Sequence, residues 1–304
     1  MILFTVGHDW GLINAVNDKK AQNFTLIDVF VINLIKVIAS CRVGYLSGGE
    51  KKETMMVEMG SENVSGIEVL HAFPSGCRMR PLPTIFFFHG YTSSKEVYSY
   101  FAYALAKAGF RVIAPDALMH GARFDGDDAR RWRCFWDILL NNVQELPGFR
   151  VWCREHGLID GDRVGMCGAS MGGMTALAAM TQYPWLRSVA CFMGSGYFSS
   201  LSQTLFPPVM SDEPQAQAQL QALAERVAPY DVRHQLDKLA DRPLLLWHGL
   251  ADELVPAQES ERLYRELSAR QLQQHLTYLT EAGIGHKITP TALEACVDFF
   301  SRTL

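Results

Sequence analysis

The chain has no run of Lys or Arg longer than two residues, and its 28 basic side chains are outnumbered by 32 acidic ones, a formal net charge of −4. Nothing in that balance draws it to nucleic-acid phosphates or to an anionic membrane surface, so neither partner is expected. It lacks any C-x-x-C pair: Cys41, Cys77, Cys134, Cys153, Cys167, Cys191 and Cys296 are odd in number and scattered. This argues against a disulfide framework or a zinc knuckle and leaves buried small apolar residues of a reducing compartment. Gly194-Ser195-Gly196 lacks the spacing of a phosphate loop or dinucleotide fingerprint, so no NAD, flavin or nucleotide site is expected. Asp125-Gly126-Asp127-Asp128 comes without the spaced ligands of a calcium loop and reads as a solvated turn and helix cap, so no metal is expected.

A clean apolar stretch of membrane-spanning length is also missing. Phe24 to Ile38 is interrupted by Asp28, Asn33 and Lys36 and is shorter than the roughly 20 residues a span needs. Ile38-Ala39-Ser40-Cys41, with Lys19 and Lys20 upstream, has the outline of a lipoprotein cleavage site. However, charges of both signs lie where the signal's apolar core belongs, and no stable membrane association is expected. A polar linker, Ser47 to Glu53, follows. Residues 1–55 are therefore read as an extension outside the core domain, or as sequence upstream of the native start, and residues 56–304 as the domain.

What the chain does have is apolar content, 48% of its residues, and a regular alternation of elements from Met56 onward. Gly66–Pro74 reads as a short strand. Thr84–Phe88, Phe110–Pro115, the run up to Cys167, Arg187–Met193 and Pro243–Trp247 are continuous apolar segments of the kind buried on both faces of a parallel sheet, and Leu276–Leu279 is the last strand. Helices are expected over Tyr98–Ala108, Asp127–Glu145, Gly148–His156, Glu213–Val227, Gln258–Ala269 and through Leu293, Val297 and Phe300. The fold class is α/β, a mostly parallel central sheet with helices on both faces and a small insertion before the strand at 243–247.

The stretch Val164 to Met180 organises the rest. An apolar strand runs into Gly168-Ala169-Ser170-Met171-Gly172, and an Ala-rich helix begins at once. A serine in such a turn is forced into a strained backbone conformation that lifts its hydroxyl off the sheet edge, and the flanking glycines avoid collision with the neighbouring strand and helix. Attack on a carbonyl needs a base beside the serine and an acid to orient that base. His286, in a glycine-bounded loop after the last strand, is the candidate base, and Asp252, in the loop after Trp247, is the candidate acid; Glu253 and Asp231 are less suitably placed. The order nucleophile, acid, histidine is that of the α/β-hydrolases. Two N–H donors are needed where oxyanion charge develops; Met171 and Tyr91 are in position to supply them from the backbone. His89 is expected to brace its loop. His120, Trp132, Trp136, Tyr197, Phe198 and Phe206 are the candidates to roof a substrate pocket, with His120 also read as a tether of its own loop and the tryptophans as core.

His89-Gly90-Tyr91-Thr92-Ser93-Ser94, Gly168 to Gly172, Gly194 to Phe198, Asp241 to Gly249 and Gly285 to Pro290 resemble small bacterial carboxylesterases of the prolyl-oligopeptidase-like and dienelactone-hydrolase-like branch of the α/β-hydrolases. The resemblance covers Met56 to Leu304. It implies a cofactor-free cytoplasmic enzyme acting on short acyl esters with Ser170 as nucleophile, Asp252 as acid, His286 as base and Tyr91 and Met171 as oxyanion donors. Serine at 170 departs from dienelactone hydrolases proper, and Gly173 stands where the relatives are expected to carry alanine, which would add flexibility behind the turn. Hydrolysis of thioesters or small peptides by the same residues, and a non-catalytic binding role, are the competing readings. The oligomeric state is left open.

Overall fold

The computed structural model describes residues 56–207 and 214–304. The reading of residues 1–55 as a separate extension lies outside the described residues. From Val57 the chain forms strands β1 (Val57–Val64), β2 (Ile67–Pro74) and β3 (Leu82–Phe88), helix α1 (Ser99–Lys107) and strand β4 (Arg111–Pro115). Helices α2 (Asp128–Arg133) and α3 (Phe135–Glu155) lead into β5 (Ile159–Ala169), α4 (Met171–Gln182) and β6 (Ser188–Phe192). The expected insertion carries α5 (Phe198–Leu201), α6 (Pro214–Val227) and α7 (Leu236–Ala240). Then come β7 (Leu244–Gly249), α8 (Ala257–Ala269), β8 (Leu276–Glu281) and α9 (Pro290–Thr303).

The eight strands form one sheet in the order β1-β2-β4-β3-β5-β6-β7-β8. The β1–β2 and β2–β4 pairs are antiparallel and every other pair is parallel. The register aligns the strand ends: Phe88 pairs with Gly168, Ala169 with Phe192, and Phe192 with Trp247. The residues that follow each strand therefore share one carboxyl edge, where open parallel sheets bind ligands. Side chains alternate across the sheet, as a strand requires. Phe86, Phe88 and Met166 join the core formed with α3 and α4, whereas Phe87 stacks on Phe101 of α1 at 4.8 Å between centroids, and Phe101 meets Phe192 at 5.4 Å.

Three differences from the sequence reading have physical causes. Strand β1 was not anticipated because it is an edge strand, exposed over most of its length and without apolar alternation. Eight antiparallel residue pairs with β2 hold it, closed by a two-residue turn at Ser65 and Gly66, both at positive φ, the hairpin geometry favoured by strand twist. Asp160-Gly161-Asp162, whose composition reads as a turn leading into the strand before Ser170, lies inside β5 as an irregularity in its pairing with β3, with Gly161 at φ +54. Helix α3 runs unbroken through Pro147 and Gly148. Proline has no N–H for the Val143 carbonyl, one turn earlier; the Tyr183 hydroxyl, at the end of α4, donates to that carbonyl instead at 2.9 Å.

Candidate active site

Helix α4 is buried along its length, with only Gln182 outside the buried set, and its apolar residues on all sides suit a helix enclosed by protein. At its start Ser170 has φ 57 and ψ −119, a conformation that costs a non-glycine residue on the order of 1–3 kcal/mol. Two backbone bonds hold it there: Ser170 N–H donates to the Phe192 carbonyl at 2.8 Å, and Met174 N–H donates to the Ser170 carbonyl at 2.9 Å. A Cβ on Gly172 would lie 1.9 Å from the Phe88 carbonyl oxygen, and one on Gly168 would lie 2.3 Å from the Gly172 oxygen, so both glycines are required by close approach. Gly173 is also closely approached, though less so. Its Cβ would lie 2.7 Å from the Phe192 oxygen, which replaces the expectation of added flexibility with one of tight packing. Thr92, Met119, Met193 and Phe206 are also non-glycine residues at positive φ, and with Ser170 they follow the carboxyl ends of strands or lie in the insertion beside them.

The structure brings Ser170, His286 and Asp252 together. His286 Nε2 is 2.8 Å from Ser170 Oγ, and His286 Nδ1 is 2.7 Å from Asp252 Oδ2. With the proton on Nδ1, the ring donates to Asp252 and accepts from the serine. Backbone bonds stitch the two loops: Leu250 N–H donates to the Glu281 carbonyl and Ala251 N–H to the Ile284 carbonyl, each at 2.8 Å. The Glu281 carboxylate accepts from Thr289 Oγ1 at 2.6 Å and from Trp247 Nε1 at 3.0 Å, anchoring the far end of the histidine loop. Asp252 Oδ1 accepts the N–H groups of Leu254 and Val255, both at 3.0 Å. Burial pushes the Asp252 carboxyl up, but hydrogen bonds from His248, His286 and the Val255 N–H outweigh it and hold the group well below the ordinary carboxylate range. Of the other acids, Asp231 is occupied capping Ser199 N–H and Arg233 N–H, each at 2.8 Å, and Glu253 is exposed.

The N–H groups of Met171 and Tyr91 donate to no acceptor among the described residues. The loop carrying Tyr91 is clamped to the loop after β4 at three points. Ala117 N–H donates to His89 Nε2 and Thr92 N–H donates to His120 Nε2, both at 3.0 Å, and Lys95 Nζ donates to Asp116 Oδ2 at 2.6 Å. Burial lowers His89 and takes His120 down to about 4, so both rings stay neutral and keep an acceptor nitrogen for these bonds.

A cleft of about 220 Å³ opens over Ser170 and His286, walled by Tyr91, Tyr98, Phe135, Met174, Leu205, Phe206, Leu254 and Val255. Of the expected pocket residues, Phe206 lines it and the others do not. His120 is fully buried as a tether. Trp132 backs Phe206 at 4.4 Å between ring centroids. Trp136 donates its indole N–H to the Leu205 carbonyl at 3.2 Å and packs on Phe198 at 5.9 Å, a layer behind the wall. Tyr197 is buried under the Arg262 guanidinium, 3.7 Å from its ring. Aromatic content marked the right neighbourhood, but it carries no information on which ring faces the cleft. Tyr98 and Leu254 were missed because one opens a helix and the other follows the acid, positions that read as structural.

The sequence profile of the prolyl oligopeptidase family matches residues 98–304. The chain is 47% identical over 249 residues to the esterase YjfP of Escherichia coli strain K12, covering 82% of this chain and 100% of that protein. It is 34% identical over 257 residues to YitV of Bacillus subtilis strain 168, with the same coverage of each. Among solved structures, TT1662 from Thermus thermophilus superimposes with a TM-score of 0.64 at 24% identity, over 82% of this chain and 98% of that one, a likeness of fold.

Proposed function

The chain belongs to the prolyl oligopeptidase family of α/β-hydrolases, and we propose that it is a serine carboxylesterase that cleaves short-chain acyl esters through Ser170, His286 and Asp252. The observation that carries this reading is the continuous hydrogen-bonded line from Ser170 Oγ through His286 to Asp252, at 2.8 and 2.7 Å, opening into an apolar cleft.

As Ser170 Oγ bonds to the ester carbonyl carbon, His286 Nε2 takes its proton, and Asp252 stabilises the imidazolium that forms. The carbonyl oxygen becomes an oxyanion between the N–H groups of Tyr91 and Met171, with the amino end of α4 adding its dipole. Collapse breaks the bond to the alcohol oxygen, which leaves with the proton from His286. Water then gives a proton to His286 and attacks the acyl-serine, releasing the acid and restoring Ser170. A cleft of about 220 Å³ with mostly apolar walls favours a small acyl group. A parallel series of p-nitrophenyl esters, matched thioesters and anilides tests the substrate class. Esters are expected to have the highest kcat/KM, and anilides or thioesters turned over faster than esters would move the chain to a peptidase or thioesterase reading.

A further inference from the structure

His248, the penultimate residue of β7, is fully buried behind Asp252. Its Nε2 lies 2.8 Å from the Val255 carbonyl and 3.3 Å from Asp252 Oδ2. Both are acceptors, so Nε2 carries a proton. Its Nδ1 lies 2.6 Å from Ser260 Oγ of α8 and is left to accept the Ser260 hydroxyl proton. Ser260 Oγ is also 3.3 Å from the Gly194 carbonyl beyond β6, a longer and weaker acceptor for the same hydroxyl proton. Asp252 Oδ2 is therefore held between two imidazoles, one of which faces Ser170 and one of which does not.

We propose that His248, its proton held on Nε2 by the Val255 carbonyl and Asp252, is a positioning residue that divides the charge of Asp252 and so sets how strongly that carboxylate pulls on His286. The proposal rests on the reading of Ser170, Asp252 and His286 as a catalytic triad. A carboxylate oxygen that already accepts one N–H is a weaker partner for a second, because each bond withdraws density from the same lone pairs. The titratable groups facing Asp252 are His248 from β7 and His286 from the loop after β8. Helix α8, packed behind, brings Ser260 to His248, while its Glu259 is held by Ser195 Oγ at 2.7 Å. Without the His248 N–H, the charge of Asp252 falls undivided on His286, and the imidazolium form is favoured. The pH at which His286 becomes a free base then rises.

The test is an NMR titration of the His286 ring in the full chain, with the pH profile of kcat/KM for p-nitrophenyl acetate measured alongside. His248→Leu is expected to raise both midpoints by about half a unit to one unit and to lower the plateau kcat/KM about tenfold. His248→Gln, whose amide still donates toward Asp252, is expected to return the midpoints close to the wild-type value. Ser260→Ala removes a single buried oxygen and leaves the His248 proton on Nε2, where the Val255 carbonyl and Asp252 face it, so it should leave the midpoints unmoved. His248→Phe, which keeps a ring in place without its N–H, should move the midpoints as His248→Leu does, and it serves where His248→Leu does not fold. Midpoints unmoved in folded His248→Leu or His248→Phe, even with a slower plateau, would overturn the proposal and leave His248 a part of the loop. Failure of the triad reading registers separately: hydrolysis surviving in Ser170→Ala removes that reading, while the NMR midpoint of His286 still decides whether His248 acts on it through Asp252.

Discussion

The backbone N–H of Thr92 donates to His120 Nε2 at 3.0 Å, a bond that joins the Tyr91 loop to the loop after β4 only while the imidazole is neutral. Burial takes His120, and likewise His71, which is enclosed in β2, down to about 4, against an ordinary value near 6.5. Between those values the unfolded chain binds more protons than the folded one, so stability falls as pH falls, by on the order of 3 kcal/mol for each ring once both states are protonated. Asp252 adds to this loss only below about pH 4, because its stabilisation is present above the unfolded carboxylate value and disappears as the folded group is protonated. Urea midpoints should therefore drop between pH 6.5 and 4.5. His120→Gln, which can still accept from Thr92 without titrating, should remove about half of that dependence and leave the His71 share, and an unchanged slope would count against the clamp.

The glycines behind the serine rank by how closely backbone approaches them. Gly172→Ala places a Cβ 1.9 Å from the Phe88 oxygen and should yield little folded protein. Gly173→Ala meets the Phe192 oxygen at 2.7 Å and should fold with a loss of about 1–3 kcal/mol, the usual range for overpacking, read as a lower melting temperature. Equal tolerance of the two substitutions would show that the turn relaxes more easily than this packing allows.

The turn at Ser170, the order of Ser170, Asp252 and His286 and the parallel strands were legible because each rests on local chemistry: a strained serine needs glycine neighbours, and doubly buried strands need continuous apolar runs. Strand β1 was not, since its stability comes from pairing with β2 and leaves no apolar signature in its own residues. The unbroken α3 was hidden because the group that relieves Pro147 is the hydroxyl of Tyr183, distant in sequence. The pocket wall was the least legible. Trp132, Trp136 and Phe198 are aromatic like Phe135 and Phe206, and only the packing of α3 against the insertion decides which of them face the cleft.

Acyl-chain preference follows from the wall. Each methylene that fits should contribute about 1–3 kcal/mol of discrimination, so kcat/KM should rise through the first members of a p-nitrophenyl ester series and fall sharply once the cleft is full. Phe206→Ala, which removes a ring stacked 4.3 Å from Phe135, should move the optimum to longer chains. A rate that keeps rising to palmitate in the unaltered protein would contradict a closed wall.

We propose that residues 1–55 are dispensable for folding and hydrolysis, since the sheet among the described residues is complete from Val57 onward. Deleting them should leave the melting temperature and the esterase rate unchanged. Loss of either would refute dispensability, and a change in oligomeric mass alone would assign the segment to assembly.

The central claim is that Ser170 is the nucleophile, and it is tested most directly by treating the protein with a fluorophosphonate and mapping the adduct by peptide mass spectrometry. The account predicts a single adduct on the peptide containing Ser170, its absence in Ser170→Ala, and an unchanged circular dichroism spectrum in that variant. An unmodified Ser170, or an adduct that persists in Ser170→Ala, would contradict it.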